Sequence, residues 1–216
     1  MAHDPPEGSV DALARRVHAL GAALGRVVDP AAALALGRWL AEVRVWNAKL
    51  DLTAARGDAA VVEVLVADAL VAADEALVPS GAHVLDVGTG AGAPGLALAI
   101  ARSDVRMVLL EPLMKRVAFL RTVVGAQGLA GRVTVREGRV EPAAPSVPDA
   151  VDLVVSRATF APETMAAVGL ALAPAALLFL VDALPPLPSG ARVVAERTYA
   201  LPSSGAARRI VRIERG

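Results

Sequence analysis

Apolar residues recur at helical spacing over the first third of the chain. The spacing predicts helices over residues 10–24, 30–49 and 58–77. Asp29 is followed by a proline, which is typical of a helix start, because the aspartate side chain caps free N–H groups and proline fits the first helical turn. Asp58 is predicted to cap the third helix in the same way. These helices indicate an N-terminal helical extension.

From His83 onward, short apolar runs alternate with helical segments. Strands are predicted at 83–87, 106–110, 133–136, 151–155 and 176–181, and helices at 94–102, 114–127 and 161–172. Such alternation is typical of βαβ units and a parallel sheet. Two further strands, at 192–199 and 207–213, follow without a helix between them, which predicts an antiparallel edge. We therefore expect an α/β protein with a helical extension over residues 1–80 and a sheet domain over 81–216.

The apolar run from Met165 to Val181 approaches the length of a membrane helix, but it contains Gly169 and Pro174. Proline would end a helix near the middle of the run, so a helix, a turn and a buried strand explain it better. We therefore expect no membrane segment. The chain contains no cysteine, which excludes disulfides and cysteine-based metal sites.

Charge divides unevenly along a chain whose formal net charge is zero. Residues 1–101 carry 7 Lys/Arg and 12 Asp/Glu, and residues 102–216 carry 15 and 10. Basic side chains cluster in two places: Lys115, Arg116 and Arg121, and then Arg208, Arg209, Arg212 and Arg215. Either group could contact RNA backbone or form an ordinary solvated face. The histidines, at positions 3, 18 and 83, are too scattered to suggest a metal or catalytic site.

The run from His83 to Gly95 is the richest in candidate chemistry, because a predicted strand leads directly into four glycines. Glycines permit a sharp turn and close approach of a ligand to the backbone. Such a turn lies at the carboxyl edge of an open α/β sheet, where cofactors bind. Gly90 to Gly95 matches the dinucleotide pattern G-x-G-x-x-G. However, an acidic residue, Asp86, followed by Gly88 and Gly90 is similar to motif I of S-adenosylmethionine (SAM) methyltransferases, so two cofactor classes remain open.

Four further residues follow three of the predicted strands and could complete a cofactor site. Glu111 ends the second strand, where a carboxylate can accept hydrogen bonds from both ribose hydroxyls. Val140 and Glu141 follow the third strand and could contact the adenine, unless they form an ordinary polar loop. Arg157 ends the fourth strand, where its forked donors could bind a carboxylate or phosphate, or form a surface ion pair.

Taken together, these motifs resemble the RsmG (GidB) family of bacterial methyltransferases, which act on guanine N7 in 16S ribosomal RNA. The resemblance covers roughly residues 35–213. It rests on four patches: Trp46-Asn47 through Leu52-Thr53; Val84 to Gly90 with Pro94-Gly95; Lys115-Arg116-Val117 with Phe119-Leu120-Arg121; and Ser156-Arg157-Ala158.

The resemblance implies a Rossmann-like class I SAM-dependent methyltransferase sheet in a cytoplasmic enzyme acting on ribosomal RNA or the small ribosomal subunit, without a metal. We expect it to be a monomer. The implied cofactor contacts are Gly88, Gly90, Ala93, Glu111, Val140, Glu141 and Arg157, and we add Asp86 and Gly92 from the same turn. Arg157 is the candidate catalytic residue. Guanine N7 has a free lone pair, so we expect catalysis to depend mainly on orientation rather than on a general base.

Four positions depart from the family pattern. Asp51 replaces an asparagine, Leu65 replaces a histidine, Asp182 stands near a usual lysine and glycine, and Thr159 replaces an aromatic residue. The cofactor half therefore resembles the family more closely than the expected RNA-facing positions. Two alternatives stay open: a diverged SAM-binding protein with a changed or lost RNA target, and a nicotinamide-dependent oxidoreductase.

Overall fold

A computed structural model of the chain describes residues 6–147 and 150–216. The first five residues of the predicted extension, including His3, lie outside the described residues. The helices are α1 (Val10–Ala23), α2 (Pro30–Leu50), α3 (Asp58–Ala72), α4 (Gly95–Ala101), α5 (Met114–Ala126) and α6 (Pro162–Leu172). The strands are β1 (His83–Val87), β2 (Arg106–Glu111), β3 (Val133–Glu137), β4 (Leu153–Ser156), β5 (Ala175–Leu180), β6 (Ala191–Ala200) and β7 (Ala207–Arg215).

The seven strands form one sheet in the order β3-β2-β1-β4-β5-β7-β6. The first five strands pair in parallel, and β7 runs antiparallel to both β5 and β6. The predicted α/β class and antiparallel C-terminal edge are thus confirmed. The order reverses at β1, which places the glycine turn at a topological switch point, where open α/β sheets bind ligands.

Apolar side chains cover both faces of the sheet. On one face, helices α1–α5 share a continuous core that includes Leu13, Trp39, Leu96 and Phe119. On the other face, α6 packs through residues such as Met165. Within the described ranges, no helix has both the length and the apolar character needed to cross a membrane.

Two predictions about α3 were wrong. The helix ends at Ala72 rather than near Leu77, and turns continue from there to Val78. Asp58 is the first helical residue rather than the cap, and its buried carboxylate instead binds the Arg44 guanidinium and the Gly8 N–H. Helical periodicity continues through the turns that follow Ala72, so the pattern alone could not locate the end. The predicted cap at Asp29 is confirmed, because its side chain accepts hydrogen bonds from Ala31 and Ala32.

Candidate cofactor site

The turn between β1 and α4 needs glycine for its backbone. Gly88, Gly90 and Gly92 have φ angles of +72°, +60° and +106°, which other L-residues rarely adopt. A Cβ atom on Gly88 would also collide with the Thr159 side chain, which lies directly over it. The turn therefore exposes bare backbone toward the residues that follow β4.

Asp86 holds this turn from beneath. Its side chain is fully buried, and its Oδ2 accepts hydrogen bonds from the Thr89 hydroxyl at 2.6 Å and the Gly95 N–H at 2.8 Å. Its Oδ1 has no hydrogen-bond partner among the described residues. Burial raises the pKa of Asp86 to about 6, although both hydrogen bonds oppose the shift. The carboxylate therefore supports the turn and does not line the cavity above it.

Glu111 joins the end of β2 to the same turn. Its Oε2 accepts a hydrogen bond from the Gly90 N–H, and its Oε1 accepts one from the Leu113 N–H, each at 3.0 Å. The residue is only 2% exposed, yet it borders the cavity. Each carboxylate oxygen retains a second lone pair, so the group can also accept hydrogen bonds from two hydroxyls of a ligand.

A cavity of about 550 Å³ opens at this carboxyl edge of the sheet. Its lining includes five of the predicted cofactor residues: Gly88, Glu111, Val140, Glu141 and Arg157. The other four, Asp86, Gly90, Gly92 and Ala93, belong to the turn and its support rather than to the cavity wall. The edge is therefore not filled by packed side chains, and its volume is typical of sites for small molecules and cofactors.

The cavity wall also contains residues that were not candidate cofactor contacts from sequence, among them Leu113, Thr159 and Phe160. Leu113 follows Glu111 closely and is half exposed. Thr159 donates a hydrogen bond from its hydroxyl to the Val87 carbonyl at 3.1 Å, which fixes it above the turn. The segment after β4 is shaped by Ala158, whose φ of +60° is unusual for alanine. No sequence signal at Ala158 could have indicated that conformation.

Arg157 lines the cavity, but its guanidinium reaches back to α3. Its Nη1 donates to Asp68 Oδ2 at 2.9 Å and to the Val64 carbonyl at 2.5 Å. Asp68 also accepts a hydrogen bond from the Tyr199 hydroxyl on β6. Neither Asp68 nor Tyr199 was a candidate from sequence. A lone acidic residue within the apolar second half of α3 is the signal that could have pointed to a paired buried charge.

Two of the three basic residues of α5, Arg116 and Arg121, have backbone partners within the fold. Arg116 lines the cavity and donates to the Asp51 carbonyl at 3.0 Å. Arg121 reaches the Val135 carbonyl at 3.4 Å. In the C-terminal hairpin, Arg209 and Arg212 pair with Glu196 and Glu214.

The departures from the family pattern occupy different environments. Asp51 adopts a left-handed conformation at the end of α2, with φ of +49°, which asparagine and aspartate both tolerate. Leu65 is buried in the core. Asp182 is exposed after β5 and borders a second cavity of about 540 Å³ with Tyr199 and Arg208. Aspartate at position 51 is therefore compatible with this left-handed conformation, as asparagine would be.

The strand order, the glycine turn and the acid at the end of β2 define a Rossmann-like fold of the class I methyltransferase type. One solved structure with this fold is a putative tRNA (m1A22) methyltransferase from Streptococcus pneumoniae in complex with S-adenosyl-L-methionine. It matches with a TM-score of 0.52 and 20% identity over 70% of this chain and 73% of that chain.

The chain belongs to the GidB family, described as rRNA small subunit methyltransferase G, whose model matches residues 33–181. Curated relatives named ribosomal RNA small subunit methyltransferase G include those of Anaeromyxobacter dehalogenans and Desulfotalea psychrophila. The Anaeromyxobacter protein is 38% identical over 68% of this chain and 67% of its own length. The Desulfotalea protein is 40% identical over 55% of this chain and 54% of its own length. The Frankia alni protein is 57% identical, but over only 29% of this chain and 24% of the relative. The chain thus spans from about a quarter to two thirds of these relatives' lengths.

Proposed function

We propose that the protein is a SAM-dependent methyltransferase that modifies N7 of a guanine in 16S ribosomal RNA. The observation that carries the proposal is the open cavity in which bare glycine backbone meets the Glu111 carboxylate. The family membership supports the same activity and favours a methyl donor over a nicotinamide. We propose in addition that the enzyme acts as a cytoplasmic monomer on ribosomal RNA or the small subunit.

The residues around the cavity fit SAM. Glu111 can accept hydrogen bonds from a ribose diol, and the apolar Val140 side chain, with Glu141 beside it, suits an adenine ring and its polar edge. Gly88 contributes bare backbone to the cavity wall, beside which the chain that carries the methyl group can lie. When bound there, SAM supplies a methyl group on a positively charged sulfur.

The chain's part in the reaction is to bind and orient. Guanine N7 carries a free lone pair at neutral pH, so no residue has to remove a proton from the acceptor. Arg157 and Arg116 present positive charge at the cavity, where the phosphates of an RNA strand can be held. An unpaired or splayed-out guanine can reach such a cavity, and orientation then contributes most of the rate enhancement.

Transfer of labelled methyl groups from SAM tests the proposal. The substrate is small ribosomal subunits from cells that lack this modification, with protein-free 16S RNA alongside. We expect label in 16S RNA, located at one 7-methylguanine by chain cleavage at that base. No incorporation, while a family enzyme is active in parallel, would reject the RNA target. SAM binding without transfer to any RNA would instead favour the alternative of a diverged SAM-binding family member with a lost RNA target.

A further inference from the structure

Asp68 joins three segments that are far apart in sequence. It lies on α3, before the first strand, and is 9% exposed. Its Oδ2 binds the Arg157 guanidinium at the end of β4, and its Oδ1 binds the Tyr199 hydroxyl on β6. Both carboxylate oxygens therefore bind side chains, and of these Arg157 lines the cavity.

These contacts restrict where the Arg157 guanidinium can lie. A guanidinium has five donor hydrogens, and Nη1 is occupied by Asp68 and the Val64 carbonyl, both on α3. Tyr199 in turn restrains Asp68, and burial raises the pKa of its hydroxyl, so this group remains a hydrogen-bond donor. The cavity wall at Arg157 is thus set by residues that do not line the cavity themselves.

We propose that Asp68 and Tyr199 are positioning residues, which act through Arg157 to shape the methyl-donor site. The inference rests on the proposed function, because it assigns Arg157 a role in holding the donor or a nearby phosphate. It also gives the helical extension a part in the site, since α3 provides both Asp68 and the Val64 carbonyl.

A second contact between α3 and the C-terminal hairpin offers a matched control. Glu63 accepts hydrogen bonds from the Ser203 N–H, at 2.9 Å, and from the Ser203 hydroxyl. This contact connects the same helix to the same hairpin, but neither residue borders the donor cavity. Loss of the Glu63 contact therefore reports on the attachment of the hairpin alone.

The test compares Asp68→Asn, Tyr199→Phe and Glu63→Gln in the full chain. Calorimetry gives the Kd for SAM, steady-state transfer gives kcat and KM, and thermal unfolding confirms that each variant folds. We expect Asp68→Asn to reduce kcat/KM about ten- to a hundredfold, because small displacements of orienting groups carry losses of that size. Tyr199→Phe should lose about three- to tenfold, since it removes one hydrogen bond to a charged group. Glu63→Gln should stay within twofold of wild type.

A double-mutant cycle separates positioning from general stability. If Asp68 acts through Arg157, Asp68→Asn should cost nothing further in kcat/KM once Arg157→Gln is present. Additive losses, or equal losses in Asp68→Asn and Glu63→Gln, would overturn the inference while leaving the proposed function intact. Wild-type activity in Asp68→Asn would do the same. Failure of the wild-type protein to bind SAM would overturn the proposed function and this inference together.

Discussion

At the scale of single residues, Asp86 and Glu111 divide the support of the glycine turn between them. Asp86 binds the start of α4 from inside the core, and Glu111 binds Gly90 from the neighbouring strand. Only Glu111 also borders the cavity. A carboxylate thus supports the backbone in both cases, and only that of Glu111 is also placed to bind a ligand.

The ionisation of Asp86 should leave a signature in stability. Its pKa rises from 3.8 to about 6 in the folded protein, so between these values the folded chain keeps a proton that the unfolded chain has released. The free energy of unfolding should therefore fall as pH rises from about 4 to about 6, by up to ~3 kcal/mol. Asp86→Asn keeps the hydrogen-bond acceptor and removes the titration.

Denaturant unfolding of the wild-type protein and of Asp86→Asn, between pH 4 and pH 6, measures this change in the free energy of unfolding. Asp74 and Asp104, whose pKa values are lowered in the fold, make an opposite contribution in both proteins, and subtraction removes it. A wild-type minus variant difference that does not change between pH 4 and pH 6 would contradict the account of Asp86.

Glu111→Gln should weaken SAM binding about tenfold or more. The amide has one acceptor oxygen instead of two, and its NH₂ would face a backbone N–H that now donates to the carboxylate. Titration calorimetry measures the Kd. Glu137→Gln is the control, because Glu137 is the register partner of Glu111 on β3 but is exposed and outside the cavity. An equal effect of both substitutions would contradict ribose binding by Glu111.

At the scale of elements, α2 supports the glycine turn directly. The fully buried Trp39 donates a hydrogen bond from its indole Nε1 to the Ala91 carbonyl at 3.0 Å. Asn47 holds the loop after α2, since its side chain bonds both the N–H and the carbonyl of Thr53. Asn47, which belongs to the Trp46-Asn47 patch noted in the sequence, therefore has a structural role in this loop.

Trp39→Phe should destabilise the fold by about 2 kcal/mol and weaken SAM binding. The substitution leaves the buried Ala91 carbonyl without its donor. Trp46→Phe makes the same chemical change at a site near the surface, where the indole N–H donates to Glu42. We therefore expect Trp46→Phe to lower the free energy of unfolding by less than half as much as Trp39→Phe. Chemical denaturation with SAM titration measures both variants. Unchanged SAM affinity in Trp39→Phe would show that the turn does not depend on α2.

Periodicity and turn chemistry predicted most elements to within a few residues, because each has a clear apolar pattern and a proline or glycine boundary. The same reasoning found Gly88, Glu111 and Arg157, since each lies at the carboxyl end of a strand. It could not find Trp39, Asp68 or Tyr199. Their roles arise from contacts over 52, 89 and 131 positions of sequence, and no local pattern encodes such distances.

At the scale of the whole molecule, the extension and the sheet share one core. Leu13 and Leu36 of the first helices belong to the same buried cluster as Val84 of β1 and Ile210 of β7. The division at residue 80 remains a prediction. A shared core argues that α1–α3 and the sheet depend on each other for stability.

Calorimetric unfolding should accordingly show a single transition, with equal calorimetric and van't Hoff enthalpies. Circular dichroism at 222 nm and the fluorescence of Trp39 in a Trp46→Phe background should report the same midpoint. Two resolved transitions, or an early loss of Trp39 burial, would indicate that the helical extension folds as a separate unit.

The central claim is that the cavity at Gly88 and Glu111 binds a methyl-donating nucleoside, and titration calorimetry with SAM measures this directly. We predict saturable binding of one SAM per chain, no binding of NAD under the same conditions, and loss of SAM binding in Gly88→Asp. That side chain would meet Thr159 and require an unfavourable φ. No heat of binding with the folded wild-type protein, or binding of NAD in place of SAM, would contradict the claim.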